Sequence, residues 1–151
     1  MSEPEPAAAR PAAVPATLGW RLLAMLYDAI PVLPLAMLVS AVFLALHGGT
    51  PVSGAAWLLA QAILLWTVVG AYFVLSWRHG GQTVGMRPWR LRVVDESGQL
   101  ATTPALFARY AMATFSLAAA GLGFAWSLVD RERRTWHDLA SGTRLVRVAP
   151  R

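Results

Sequence analysis

Two long apolar runs dominate the first half of the chain. The first extends over residues 20–46, and the 18 residues from Ala29 onward carry no charge. The second extends over residues 55–77, where Gln61 is the strongly polar residue. A helix needs about 20 apolar residues to cross a hydrocarbon core. Each run therefore predicts a membrane-spanning helix.

A third apolar segment, residues 106–129, allows two paths. Between Tyr110 and Val129 it has 20 uncharged residues, but Ala, Ser, Thr and Gly are frequent among them. It can cross the membrane as one helix, or break at Gly121-Leu122-Gly123 and re-enter. The segments on both sides of it are rich in arginine, so the positive-inside rule assigns both to the cytoplasm, which three full crossings do not allow. We expect three helices and leave the side of the C-terminal tail open.

Two short stretches show the alternation that is typical of strands. Residues 89–94 alternate with period two and are followed by the turn Glu96-Ser97-Gly98, which predicts a hairpin-like connection. Residues 143–148 alternate in the same way. If the two stretches pair, both lie on one side of the membrane, which favours the re-entrant path.

These patterns predict an all-α integral membrane domain. Its bundle of three hydrophobic helices, the third either spanning or re-entrant, occupies residues 18–148 together with a short β-hairpin-like cytoplasmic connection. Residues 1–17 are rich in Pro and Ala, and we expect a disordered tail there. The positive-inside rule places the N-terminus and the connection between the second and third runs in the cytoplasm. That connection contains five arginines: Arg78, Arg87, Arg90, Arg92 and Arg109.

Composition agrees with a membrane protein. The chain is 56% hydrophobic and 14% charged, and its mean hydropathy is +0.48. Because it has no cysteine, thiolate metal sites and Cys nucleophiles are excluded. Three scattered histidines predict no metal site, and we expect no cofactor. We attribute the net charge of +5 to arginines beside anionic lipid headgroups, and expect no nucleic-acid partner.

Asp28 is the residue that most needs an explanation. A carboxylate at such a depth costs about 2.5–3.5 kcal/mol on insertion scales. Arg21 is seven residues earlier, about 10.5 Å along a helix axis, which is too far for a direct pair. We expect Arg109 to pair with Asp28, and Asp138 to pair with Arg21. His137 and Asp138 are adjacent, but no nucleophile is nearby, so an orienting or capping role is expected.

Several motifs follow one another between residues 18 and 148: Arg21 with Asp28, residues 81–87, residues 91–95 with Gly98, Arg109-Tyr110, and residues 137–143. In this order they resemble the RDD family of small bacterial membrane proteins. The family is named for an arginine and two aspartates, which match Arg21, Asp28 and Asp138. We expect Arg109 to complete a functional polar centre with these three residues. The family pattern often has a Lys or Arg beside the glycine that matches Gly85. In this chain Met86 follows Gly85 and precedes Arg87. The supporting positions of the motif are Gly81, Gln82, Thr83, Gly85, His137, Gly142 and Thr143.

The resemblance implies a helical domain of the bacterial cytoplasmic (inner) membrane that transports or binds an unidentified ligand, with some relatives linked to cation/proton exchange. Two functions follow as expectations. One is transport or binding of a small solute, cation or proton, with Asp28 as the central group. The other is a structural membrane module for partner binding or oligomer assembly. We expect a multi-pass protein, not an enzyme, with the lipid bilayer and a second copy or another protein as partners.

Overall fold

The computed structural model describes residues 13–51 and 53–149. Five helices and three strands follow one another along these residues. The helices are α1 (Leu18–Leu46), α2 (Ala55–Gly80), α3 (Thr103–Ala118), α4 (Leu122–Ala125) and α5 (Trp136–Ser141); a 3-10 turn, Trp126–Leu128, directly follows α4. The strands are β1 (Ala13–Pro15), β2 (Leu91–Asp95) and β3 (Thr143–Val148).

Helices α1 and α2 correspond to the two apolar runs. Each is long and apolar enough to cross a membrane, with mean hydropathies of 2.4 and 2.1 over their most apolar 18 residues. Only 6% of each of these windows is buried within the protein. Large apolar side chains consequently cover the outside of both helices, among them Ile30, Met37 and Leu59.

The third apolar segment is bent. Helix α3 and the helical segment Leu122–Leu128 meet at an angle of 108°. Gly121 lies at the break with a φ of +78°, a left-handed conformation that glycine adopts without strain, and its N–H donates to the carbonyl of Ser116. Counting by length and composition, the described residues hold two candidate spans, or three if the bent pair is one span. The chain thus breaks at a position where the sequence allowed a break, and the bend fits either a broken span or a re-entrant segment.

The strands form one antiparallel sheet in the order β1-β3-β2. Leu91 is opposite Arg147 and Asp95 is opposite Thr143, so β2 pairs with β3 along its whole length. The predicted hairpin at residues 96–98 is wrong: the turn exists, with Asp95 Oδ1 accepting from the N–H of Ser97, but the chain does not return along β2. The fold is therefore helix-rich with a small sheet rather than purely helical.

Strand β1 lies in the segment that we expected to be disordered. It pairs with β3 from Ala13 to Pro15, and the N–H of Ala16 donates to the carbonyl of Leu145. Thr17 is the N-cap of α1. The expectation for residues 1–12 lies outside the described residues. The predicted helices at 20–46 and 55–77 are each lengthened by two or three residues at one end.

The buried core lies between the sheet and the ends of the three long helices. Leu91, Val93 and Leu145 of the sheet pack against Leu106 of α3 and Trp77 of α2. Burial of this apolar surface holds the sheet to the helix ends. The polar site described next lies at the same junction.

Candidate functional site

Asp138 is at the centre of a buried ionic cluster. It is the third residue of α5, where its carboxylate accepts from the N–H of Thr135 while the Thr135 hydroxyl accepts from the N–H of Asp138. This capping box fixes the carboxylate at the start of α5. Two guanidinium groups bind this carboxylate: Nη2 of Arg21 is 2.8 Å from Oδ2, and Nη1 of Arg109 is 2.5 Å from Oδ1. All three side chains are almost completely buried.

The two arginines are held by further partners. Nη1 of Arg109 donates to the hydroxyl of Thr143 at 2.8 Å. The guanidinium carbon of Arg109 lies 5.5 Å from the ring centre of Trp77. Arg21 donates to the backbone carbonyls of Arg133 and Ala16. Gly142, which ends α5, and Thr143, which begins β3, bring the Thr143 hydroxyl back toward the cluster. The cluster thus joins α1, α3, α5 and β3.

The cluster changes the ionisation of α5. Burial opposes the charge on Asp138, but Arg109 and Arg21 outweigh it and lower the pKa of this carboxyl below its usual range. Burial, followed by the positive charge of Arg109, lowers the pKa of His137 well below its usual value. His137 is therefore neutral at pH 7. Its ring packs against Phe124 with 4.7 Å between the ring centres.

Asp28 is surrounded by neutral donors. Its Oδ2 accepts from the hydroxyl of Thr83 at 2.6 Å. Its Oδ1 accepts from the hydroxyl of Tyr72 at 2.9 Å and from the N–H of Gly85 at 2.8 Å. Asp28 is only 3% exposed. Hydrogen bonds from uncharged groups therefore stabilise this carboxylate.

The loop from Gly81 to Gly85 makes this arrangement. Gly81 ends α2 and its carbonyl accepts from the N–H of Val93, while the Gln82 amide donates to the carbonyl of Leu91. These bonds attach one side of the loop to β2, so that its other side faces α1. A Cβ on Gly85 would lie 2.3 Å from the carbonyl oxygen of Ala24, which explains the glycine at this position.

A cavity of about 130 Å³ is lined by Asp28 and by the two arginines that bind Asp138. Most of its wall is apolar, from Met25, Phe73, Met86, Leu117 and Phe124. The polar and ionisable residues in the wall come from four helices. They are Arg21 and Asp28 of α1, Trp77 of α2, Arg109, Tyr110 and Thr114 of α3, and His137 of α5.

The structure brings the site residues together but changes one partner. The expected pair of Arg21 and Asp138 is confirmed. The expected pair of Arg109 and Asp28 is wrong: Arg109 binds Asp138, and among the described residues Asp28 makes no ion pair. The physical reason is that the loop at Gly85 closes over Asp28 and supplies its donors. Capping at α5 is performed by Thr135 and Asp138, and His137 is packed beside them.

Sequence reasoning missed three residues of the site. Tyr72 donates to Asp28, Thr135 caps α5, and Trp77 lies beside Arg109. Thr135 could have been found, because Thr-x-x-Asp before a short helix is a capping pattern. Tyr72 is one aromatic residue in an apolar helix and carries no such signal. Among the described residues, no group of three or more His, Asp or Glu side chains could hold a metal ion.

These features define a class: a helix-rich domain with long apolar helices, whose ends are joined by buried arginines and aspartates. Comparison with protein-family models gives the particular family. The model of the RDD family matches residues 15–142, so the chain belongs to the RDD family. Searches of the curated proteins and of the solved structures each found no match.

Proposed function

We propose that this RDD protein is a multi-pass domain of the bacterial cytoplasmic membrane with its N-terminus in the cytoplasm. The apolar outer surfaces of α1 and α2 support insertion, because patches of this size are not stable in water. The arginines between α2 and α3 and after α4 support the orientation.

Within the membrane domain, the proposed activity is the binding of a small solute. The single observation that carries this proposal is the cavity of about 130 Å³ that is lined by Arg21 and Asp28 of the RDD motif, together with Arg109 and His137. Mostly apolar pockets with a few polar groups are typical of small-molecule sites. Transport of the solute would require a second copy, since two or three helices of one chain enclose little of a path.

The position of Asp28 favours a solute over a cation or proton as the ligand. A cation site needs several carboxylate oxygens with free lone pairs, whereas three of the roughly four acceptor sites of Asp28 already accept hydrogen bonds. Within the described residues, the cavity wall instead includes three residues with an unpartnered nitrogen atom, Arg21, Trp77 and His137. We therefore assign ligand binding to the cavity and a structural role to Asp28.

Cysteine accessibility tests this proposal. Ala113 lines the cavity, whereas Ala118 is exposed on the outside of the same helix, and the chain has no native cysteine. In membrane vesicles, Ala113→Cys should react with a small charged methanethiosulfonate reagent, and Ala118→Cys should not, because hydrocarbon surrounds it. No reaction at Ala113→Cys, or equal reaction at both positions, would show that water-soluble molecules do not enter the cavity.

One observation favours the structural module as a second candidate. The carboxylates of both Asp28 and Asp138 are occupied by donors of this chain, as expected of groups that hold helices together. A module of this kind would form its assembly in the membrane without solute access to the cavity. An unreactive Ala113→Cys combined with a stable oligomer in crosslinking would favour it.

A further inference from the structure

Three residues in the wall of the cavity have a buried nitrogen atom without a hydrogen-bond partner. Within residues 13–51 and 53–149, these atoms are Arg21 Nη1, Trp77 Nε1 and His137 Nδ1, whereas Trp89 Nε1 and Ser116 Oγ also lack a partner but belong to residues outside the wall. The three residues are 4%, 6% and 4% exposed, and all three line the same cavity. They come from α1, α2 and α5. Buried polar groups are rarely left unpaired, so a shared missing partner is the simplest explanation.

The chemistry of these atoms defines that partner. A guanidinium and an indole nitrogen can only donate, and a neutral imidazole can donate from one nitrogen. Three such groups around one space require an acceptor with several lone pairs. Carboxylate oxygens provide about four acceptor sites, and Arg binds them with charge-assisted bonds.

The charges around the cavity allow an acceptor group to bind there. Arg21, Arg109 and Asp28 line the cavity, and Asp138 pairs with both arginines, so the formal charges balance. The charge of Asp28 is stabilised by its own three neutral donors, whereas Nη1 of Arg21 has no partner. The preference for a carboxylate therefore rests on this unpartnered guanidinium donor and not on an excess of positive charge.

The volume limits the size of the ligand. An apolar cavity of about 150 Å³ holds one benzene molecule, which has six heavy atoms. The cavity here, at about 130 Å³, therefore suits a ligand of about this size. Its remaining wall is apolar, with Phe73, Leu117 and Phe124 among its residues. A short aliphatic chain fits such a wall.

We propose that the cavity binds a short-chain monocarboxylate, with the carboxylate at Arg21, Trp77 and His137 and the alkyl group against the apolar wall. This inference rests on the proposed solute-binding function and names its substrate class. The ligand comes from the aqueous phase. A fatty acid from the bilayer has the same headgroup but a longer chain, part of which would have to lie outside the cavity.

Four probes of stated chemistry test the class. Binding is measured with radiolabelled butyrate on the full chain in nanodiscs at pH 7, with unlabelled butyrate, butyramide, butylamine and octanoate as competitors. Butyrate should compete at least tenfold better than the other three. Competition by butyramide or butylamine equal to that of butyrate would overturn the carboxylate, and equal competition by octanoate would overturn the aqueous short-chain source.

Matched variants test the location. Trp77→Phe removes one unpartnered donor and retains an aromatic ring, and it should weaken butyrate binding about tenfold, the size of one charge-assisted hydrogen bond. Trp89→Phe is the control, because the Trp89 indole nitrogen also lacks a partner but Trp89 does not line the cavity. Equal effects of the two changes would overturn the site.

The failures remain distinguishable from failure of the proposed function. If Ala113→Cys is accessible but butyrate does not bind, the cavity is a solute site and the carboxylate class is wrong. If Ala113→Cys is inaccessible and butyrate does not bind, both proposals fail. Arg78→Gln, which removes an exposed arginine outside the cavity, controls for general charge effects and should bind butyrate as the wild type does.

Discussion

Arg21, in the first turn of α1, donates to Asp138 of α5 across 2.8 Å. The contact connects the start of the first apolar helix to the C-terminal part of the domain. Asp138 is shared, because its other oxygen accepts from Arg109. One carboxylate thus holds two buried guanidinium groups, and its loss affects more of the structure than the loss of either arginine.

Asp138→Asn should be the most destabilising change in the cluster. It leaves two guanidinium groups buried with no negative partner, and breaking a buried pair in this way costs about 3–5 kcal/mol. Arg21→Gln and Arg109→Gln should each cost less, because Asp138 then retains one arginine. Unfolding in mixed micelles with increasing denaturing detergent measures these differences.

The pair of Arg134 and Asp130 provides the control for the Asp138 variant. It is a partly exposed pair with 3.1 Å between its nitrogen and oxygen. Solvent screens such a pair, so Arg134→Gln should unfold close to the wild type. A loss in Arg134→Gln as large as that in Asp138→Asn would contradict the special role of the buried cluster.

Double-variant cycles should separate the two aspartates. Arg109 contacts Asp138 directly, so the combined loss in Arg109→Gln with Asp138→Asn should be smaller than the sum of the single losses, by about 1–3 kcal/mol. Arg109 makes no contact with Asp28 in the described structure, and that cycle should be additive within about 0.5 kcal/mol. Detergent unfolding of the single and double variants measures both. Strong coupling of Arg109 with Asp28 would mean that the observed pairing is wrong.

The residue types of the site and the pair of Arg21 with Asp138 could be predicted from the sequence, but the partner of Arg109 could not. Charged residues in apolar helices are costly, so Asp28 and Arg21 stood out. The choice between Asp28 and Asp138 for Arg109 depends on how far the loop at Gly85 closes over α1. That closure depends on bonds between the loop and β2, such as the one from Gln82 to Leu91, which sequence spacing does not specify.

The long helices could likewise be predicted more readily than the sheet. Their boundaries follow from apolar runs, which are local. The sheet depends on pairing between segments far apart: β2 and β3 each showed the alternation, which allowed their pairing but did not establish it. Strand β1 contains Pro15 and is only three residues long, so propensity predicts no strand there. It lies at the edge of the sheet, where it pairs with the central strand β3.

Gly85→Ala should be strongly destabilising. The added Cβ would meet the Ala24 carbonyl at 2.3 Å and the Asp28 nitrogen at 2.6 Å, both backbone atoms that cannot rotate away. The loop would move away from α1 and Asp28 would lose donors, at a cost of about 3 kcal/mol. Gly80→Ala is the matched control, because a Cβ there has no atom within 4 Å. Detergent unfolding should show no loss for Gly80→Ala, and equal losses would refute the close approach.

Stability should fall with pH below about 6.5 because of His137. Burial and Arg109 lower the folded pKa of His137, whereas the unfolded value is about 6.5. The unfolded chain therefore takes up the proton first, and the wild type should lose up to about 1.4 kcal/mol per pH unit between pH 6.5 and 5. The lowered pKa of Asp138 acts in the same direction, but only below about pH 4.

Unfolding at a series of pH values from 7 to 5 measures the His137 effect. His137→Gln should lose this slope, although its stability at pH 7 will also change because the ring packs against Phe124. His79→Gln, at an exposed position near the end of α2, should retain the slope. A wild type with no slope in this range would show that His137 takes up its proton in the folded protein.

The sheet predicts which segments lie on the same side of the membrane. Strands β1, β2 and β3 are hydrogen-bonded to one another, so the segments that contain Ala13, Leu91 and Thr143 must share one side. In the proposed orientation the connection before α3 is in the cytoplasm, so the C-terminal strand should be there too. The bend at Gly121 makes this possible, because α3 and α4 together can enter and return without a third crossing.

Single cysteines at Ser53, Ser97 and Ala149 test this arrangement in a chain without native cysteine. On intact cells, an impermeant maleimide should label Ser53→Cys, in the connection between α1 and α2, and should leave Ser97→Cys and Ala149→Cys unlabelled. Both should become reactive once the membrane is permeabilised, which controls for burial. The reverse pattern would invert the orientation. If Ala149→Cys is labelled on intact cells and Ser97→Cys is not, β3 and β2 lie on opposite sides of the membrane. The sheet could not then exist in the membrane-inserted protein.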